Sequence, residues 1–337
     1  MKNLMFNMLA ITSLVMAIAL PQAQAGGLYL YELGTPDVGA AAAGWAARAQ
    51  DASTVFTNPA GMTRLEKSEL LVGIQPLYLH SEFSPDSNTT TSGPDGDAST
   101  WLPAGGLYYV HNLMPKLKIG LSTVGYFGLG LEYENDWVGR YYIQEIKLQA
   151  LGIQPAVAYQ VTDWLSLGAG VVALYGVLEQ KAAVNNPGPN QDDGRLKIED
   201  DDWAYQVNLG VLVEPRKGTR FGLTYLSEGD LEFKDEPDFS NLGPGLEAIL
   251  RAQGLLDAEI EVEFTMPQAV MLSGYHELND RWVIMGNLGW QDWSEFGKVG
   301  VTLTSQDASK LTVDRNYKDT WHVAVGGQYR VADPWLL

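Results

Sequence analysis

The stretch WAYQVNLGVLV, Trp203 to Val213, changes character at almost every step. Trp203, Tyr205, Val207, Leu209, Val211 and Val213 are large and apolar, whereas Ala204, Gln206, Asn208 and Gly210 are small or polar. Successive side chains of an extended chain point to opposite faces, so the pattern predicts one strand with an apolar face and a small, uncharged one. LQALGIQPAVAYQV repeats it, setting Leu151, Ile153, Val157 and Tyr159 against Ala150, Gly152, Gln154, Ala156 and Gln160. Near the end, Trp321, Val323, Val325 and Tyr329 oppose His322, Ala324, Gly326, Gln328 and Arg330. A soluble sandwich also alternates, with its large residues facing a packed core. Here the second face is rich in Gly, Ala, Gln and Asn and poor in charge, which suits a lumen better than open water. The apolar rows are nearly free of charge, as expected where one at mid-bilayer costs ~2–4 kcal/mol.

Connection lengths point the same way. Short turns fall at His111–Lys118, Val161–Trp164, Glu214–Thr219, Glu277–Arg281 and Val331–Pro334. Long polar stretches alternate with them, at Ser84–Thr100, Glu132–Tyr142, Ala182–Asp202, Asp235–Glu261 and Asp292–Thr320. Short on one side and long on the other is the pattern of an outer-membrane barrel, with periplasmic turns and external loops. Six tryptophans stand at predicted strand starts: Trp164, Trp282 and Trp335 after short turns, Trp101, Trp203 and Trp321 after long loops. They would girdle the barrel at both interfaces. The expected fold is therefore all-β, an antiparallel transmembrane β-barrel.

The N-terminus agrees with that address. Lys2, the apolar run Leu4–Leu20 and the small-x-small Ala23-Gln24-Ala25 predict a signal peptide over residues 1–25. No other run offers the ~18–20 apolar residues of a spanning helix. The chain has no cysteine, so no disulfide staples it. A formal charge of −19 argues against nucleic-acid partners.

On these features the chain resembles the FadL/TodX (OMPP1) family, outer-membrane transporters of long-chain fatty acids and other hydrophobic compounds. The resemblance rests on GTPDVGAAAAGWAARAQDASTVFTNPAGM with its Asn58-Pro59-Ala60 triplet, on Trp137-Val138-Gly139-Arg140-Tyr141 and on Tyr317-Lys318-Asp319-Thr320-Trp321. It implies an N-terminal hatch over residues 26–67, folded inside a barrel formed by residues 68–337. Gly39–Ala43 and Ala46–Ala47 would pack against the inner wall, and Asn58-Pro59 would make a tight turn. The family barrel has ~14 strands, against roughly ten here plus the stub Pro334–Leu337, so the sequence is expected to be C-terminally truncated.

The candidate sites follow from loops and glycines. GPGLEAILRAQGLLD predicts a short external helix from Pro244 towards Gly254. Leu246, Ile249 and Leu250 share one face, with Phe239, Leu242, Leu255 and Leu256 nearby. This surface packs either on neighbouring loops or on a ligand; the resemblance implies ligand capture. Gly125, Phe127, Gly128 and Gly130 lie in VGYFGLGLEY on the third strand, where dense glycines favour a bulge or curvature. The resemblance implies an inward kink opening a lateral gate. Arg140 and Lys318 are candidate partners for a ligand carboxylate, each also able to pair with a loop acid such as Asp136 or Asp319.

Other motifs fail on context. Gly168-Ala169-Gly170-Val171-Val172-Ala173 fits a dinucleotide fingerprint but continues as strand, so small inward-facing residues explain it better. No G-x-S-x-G occurs, and the histidines lack a nucleophile partner, so no enzyme and no cofactor is expected. Asp192-Asp193 and Asp200-Asp201-Asp202 form a solvated acidic loop or a calcium or lipopolysaccharide contact; no metal ligand set is assigned. The expected function is passive uptake by a monomer in the outer membrane, with a long-chain fatty acid or similar hydrophobic compound as ligand and outer-membrane lipid as surroundings. A structural or adhesion barrel with acidic partner-binding loops is the alternative.

Overall fold

A computed structural model describes residues 31, 33–186, 191–252, 254–304, 309–314, 316–332 and 335–336. The expected signal peptide lies outside them. Long antiparallel strands dominate: β1 Glu69–Leu79, β2 Thr100–Met114, β3 Leu117–Glu132, β4 Glu145–Gln160, β5 Leu165–Val184, β6 Gly194–Arg216 and β7 Thr219–Leu226. Then come β8 Gly229–Asp235, β9 Glu259–Met266, β10 Ala269–Glu277, β11 Trp282–Gln291, β12 Lys298–Thr304, β13 Ser309–Asp314, β14 Thr320–Ala332 and β15 Trp335–Leu336.

One sheet runs β1-β2-β3-β4-β5-β6-β7-β10-β11-β14-β15, and a four-stranded sheet β8-β9-β12-β13 stands beside it. Read as columns, β7 with β8, β10 with β9, β11 with β12 and β14 with β13 bring the wall to ten strands before the short β15. Among the described residues β1 pairs only with β2 and β15 only with β14, so this path is open at both ends.

The alternation read from sequence is the inside–outside pattern of this wall. Leu70, Val72, Ile74, Tyr205, Val207, Leu209, Val323 and Val325 are exposed on the outer face. Gln154, Ala158, Ala204, Gln206 and Asn208 are buried on the inner one. All six predicted girdle tryptophans lie outward and are 45–72% exposed, as side chains that face lipid rather than protein.

Two of the expected long loops are largely strand. The loop expected at 182–202 shrinks to residues 185–193, because β5 reaches Val184 and β6 begins at Gly194. Asp200-Asp201-Asp202 therefore belongs to β6, not to a loop. Likewise the stretch 292–320 holds a helical turn, β12 and β13. The physical reason is that strands continue above the membrane. There water replaces lipid, outward positions become charged, and the alternation of apolar with polar residues fades while the ladder persists. Outward Glu179, Lys181, Lys197 and Glu199 pair with one another or with neighbours across that ladder.

Residues 33–65 fill the space inside the wall. Their alanine-rich start is neither helix nor strand but a series of tight turns: a 3-10 turn at Pro36–Ala40, α1 at Thr54–Thr57 and a second 3-10 turn at Pro59–Arg64. Ala42, Ala43, Ala46, Ala47, Ala52 and Ala60 are at most 1% exposed. Small side chains let this backbone lie directly against the strands.

Candidate functional site: the hatch and an opening in the wall

The hatch is seated on glycines of the wall. A Cβ added to Gly168 would come within 3.0 Å of the Pro59–Ala60 backbone, and one on Gly222 would meet the Ala46 carbonyl. Gly210 makes room for the Asn58 amide, and Gly73 for the backbone of Gly34. Gly168 is thus a seat for the hatch, which accounts for the false dinucleotide fingerprint.

Polar groups then fix the register. Asn58 is 1% exposed; its Nδ2 donates to the carbonyls of Ala46 (2.6 Å) and of Val211 on β6 (3.1 Å). Its Oδ1 accepts from the Ala60 N–H at 3.1 Å, while Pro59 supplies a helical φ without needing a donor partner. From the wall, Gln154 Nε2 donates to Val55 O (2.6 Å) and Asn208 Nδ2 to Phe56 O (2.9 Å). Wall acceptors answer from the other side: Asn287 Oδ1 takes the Gly44 N–H and Ser273 Oγ the Ala46 N–H. The small polar inner face predicted from sequence is thus a set of partners for hatch backbone.

Within the hatch, Arg48 is buried between two carboxylates. Its Nε contacts Asp37 Oδ1 and its Nη1 contacts Asp51 Oδ2, both at 2.6 Å. Burial pulls the guanidinium pKa down, but the two acids outweigh it and the net shift is upward. Burial pushes the Asp37 carboxyl up, against the pull of Arg48. At Asp51 burial also acts upward, yet Arg48 and Ser53 carry the carboxyl below its usual range.

Between β2 and β3 the wall separates. The β1–β2 ladder is continuous from Glu69↔Val110 to Leu79↔Thr100. The β2–β3 ladder ends at Gly106↔Val124, although both strands continue upward. On its other edge β3 stays paired with β4, stepping from Gly125↔Leu151 to Phe127↔Ala150. Residue 126 is the extra residue of a β-bulge, which bends β3 away from β2.

A cavity of about 290 Å³ occupies the gap, lined among others by Leu77, Leu102, Gly125, Gly128, Gln149 and Leu151. Leu77 and Leu102 have inward parity on β1 and β2, whereas Gln149 and Leu151 are exposed on the outer face of β4. The cavity therefore crosses the wall. A Cβ on Gly125 or Gly128 would meet nothing within 4 Å, and one on Gly130 would lie 3.6 Å from Leu102 Cδ2. The Phe127 side chain lies outside the described ones.

Above the wall, α2 spans Pro244–Ala252 and ends at Gly254, whose φ of 66° lets Leu255 N–H close back on Leu250 O at 2.9 Å. Leu246 and Leu250 are buried, but Ile249 is 48% exposed and points elsewhere. Phe239 pairs with Leu196 of β6, and Leu242 lies by Gly194 at the start of that strand. These residues pack partly on the tip of β6, and they line neither the wall opening nor the polar cavity beside Arg140.

Arg140 is fully engaged. Nε donates to Asp193 Oδ2 (2.7 Å), Nη1 to Ser92 O (2.6 Å) and Nη2 to the Tyr141 hydroxyl (3.1 Å). The Asp193 hydrogen bond leads the causes that raise its pKa. Lys318 is exposed and makes no ion pair among the described residues. Its neighbour Asp319 instead accepts from Trp290 Nε1 at 3.2 Å. The two bases share no partner or cavity.

The profile described as "Outer membrane protein transport protein (OMPP1/FadL/TodX)" matches residues 16–337. The chain belongs to this family. It is 25% identical to the long-chain fatty acid transport protein of Escherichia coli O6:H1, over 97% of this chain and 79% of that protein. Outer membrane protein P1 of Haemophilus influenzae is 26% identical over 96% and 77%. Among solved structures, a Pseudomonas aeruginosa FadL homologue aligns with a TM-score of 0.72 at 23% identity, covering 92% of this chain and 79% of that one. The Ralstonia pickettii toluene transporter TbuX aligns at 0.64 and 18%, covering 91% and 85%. FadL/TodX membership places the chain in the outer membrane as a transport β-barrel.

Sequence reading missed the upper-lumen apolar surface of this FadL-type barrel. Leu174, Leu231, Phe233, Phe264, Trp293 and Phe296 are all buried there in one cluster. The signal was present in GDLEFKD, where Leu231 and Phe233 alternate with Asp230, Glu232 and Lys234. Gln149, Leu77 and Leu102 were also missed, since only the kinked strand itself carried an unusual composition.

Proposed function

We propose that this protein carries a long-chain hydrophobic compound from the cell surface into the outer membrane. The ligand is captured by the apolar loops, enters the upper lumen over the Leu231–Phe233–Phe264 surface, and leaves sideways between β2 and β3. The hatch closes the direct route to the periplasm. The single observation that carries the reading is the cavity of about 290 Å³ that crosses the wall where the β2–β3 ladder ends.

Energetics favour the lateral route. A chain of ~15 methylenes gains on the order of 12 kcal/mol on leaving water, at ~0.8 kcal/mol each. Delivery into the periplasm would surrender that gain; delivery into the bilayer keeps it. No energy source is needed for a ligand that moves from one apolar site to another. Relatives named as fatty acid transporters and as a toluene transporter support a hydrophobic cargo.

Uptake of labelled oleate by cells lacking other such transporters tests this. Production of this protein should raise uptake several-fold without added energy source. Uptake equal to that of empty cells would reject the reading.

A further inference from the structure

Resting on the lateral-release reading, we propose that Gln149 is the headgroup-binding residue of the wall opening. It selects long-chain ligands whose end group is polar but uncharged, such as an alcohol or a protonated carboxylic acid.

The lining of the opening is almost wholly apolar. Among the described side chains it contains, beside Gln149, Leu77, Leu102, Leu151 and Val177, and one other polar group, Tyr175. The Tyr175 hydroxyl faces the Asp201 carboxylate on β6. Gln149 is exposed on the outer face of β4, and its amide makes no hydrogen bond among the described residues. It stands opposite Gly128 on β3 in the Gly128↔Gln149 pair. Because Gly128 offers no side chain and open space above its Cα, the amide can reach over it into the cavity. An apolar cavity with one well-placed polar group is the usual design of a site that orients an amphiphile.

The charge state follows from what surrounds the amide. The nearest bases along the ladder, Lys147 and Lys181, are held by Glu145 and Glu179. A carboxylate entering the opening would lose water without gaining a cation, which is costly. A primary amide, by contrast, both donates and accepts, and can satisfy a hydroxyl or a protonated carboxyl completely. The aromatic level also fits: Leu151, Tyr175 and Trp203 pair in succession across β4, β5 and β6, so Gln149 sits one step above the girdle, where headgroups begin.

The test compares oleyl alcohol with octadecane in cells producing matched surface levels of wild type, Gln149→Leu or Gly128→Leu. Gln149→Leu should lower oleyl alcohol uptake about fivefold, the value of one hydrogen bond, and leave octadecane unchanged. Unchanged uptake of both ligands, or an equal fall of both, would overturn the assignment. Gly128→Leu separates the opening from the amide. If it stops both ligands while Gln149→Leu is silent, the opening stands and only the amide role fails. If it stops neither, lateral release itself fails.

Discussion

Two sets of glycines in one wall have opposite meanings. Gly168, Gly210 and Gly222 lie where β5, β6 and β7 are regularly paired, and the absent Cβ is replaced by hatch backbone at Gly168 and Gly222 and by the Asn58 side chain at Gly210. Gly125 and Gly128 lie on β3 where it has left β2, and the absent Cβ is replaced by nothing. The first set closes the barrel by letting another segment approach; the second keeps a passage free. Glycine in a strand signals either close approach or irregularity. Only the neighbouring segment decides which.

The sharpest way to break this contrast is to fill a seat. Gly222→Val would drive a side chain into the Ala46 carbonyl, and Gly168→Val into Pro59–Ala60. Each should displace the hatch, raising single-channel conductance many-fold and lowering the thermal stability of the barrel. Wild-type conductance in either variant would mean that the seats are not needed to hold the hatch.

Filling the passage should do the reverse. Gly125→Leu and Gly128→Leu meet open space, so melting temperature and conductance should stay at wild-type values while hydrophobic uptake falls at least tenfold. The bulge at residue 126 and the ladder to β4 hold β3 bent, and an added side chain fills the cavity. Equal loss of stability in both glycine sets would erase the distinction.

A smaller effect belongs to Asn58. Asn58→Ala removes the donor to Ala46 O and Val211 O and the acceptor for Ala60 N–H, leaving buried groups unpaired at roughly 1–3 kcal/mol. The hatch should loosen, seen as faster amide exchange over residues 46–60 and a modest rise in conductance. The smallest effect is expected at Arg140. Because Asp193, Ser92 and Tyr141 already occupy its donors, Arg140→Ala should weaken oleate and oleyl alcohol binding equally, through loosened loops. Selective loss of oleate would restore a headgroup role for this base.

Much of the wall was legible because lipid imposes a strict rule. Every outward residue at membrane depth must be apolar, so Trp203–Val213 announces its faces without help from its neighbours. The rule lapses above the girdle, and there β12, β13 and the upper part of β6 were read as loop. The Asn58-Pro59-Ala60 turn was legible as local chemistry, but its donors' partners on β6 were not, since no local pattern links residue 58 to residue 211. The opening was half legible. Glycine density marked β3, yet Gln149 and Leu102 come from strands with ordinary sequences, and only the end of the β2–β3 ladder brings them to one cavity. Arg140 shows the opposite case: its type and place suggested a ligand contact, while its partner Asp193 lies 53 residues away.

The absence of cysteine from the chain allows a direct test of lateral release. Leu102 Cδ2 lies 3.6 Å from where a Cβ on Gly130 would sit, so cysteines at these two positions face one another across the gap. In a Leu102→Cys, Gly130→Cys protein, bridging the pair with a bifunctional thiol reagent should stop oleate uptake, and a cleavable bridge should restore it on reduction. Ligand binding to the external loops should be unaffected throughout. Uptake that continues at the wild-type rate with the bridge in place would contradict a route through the wall between β2 and β3.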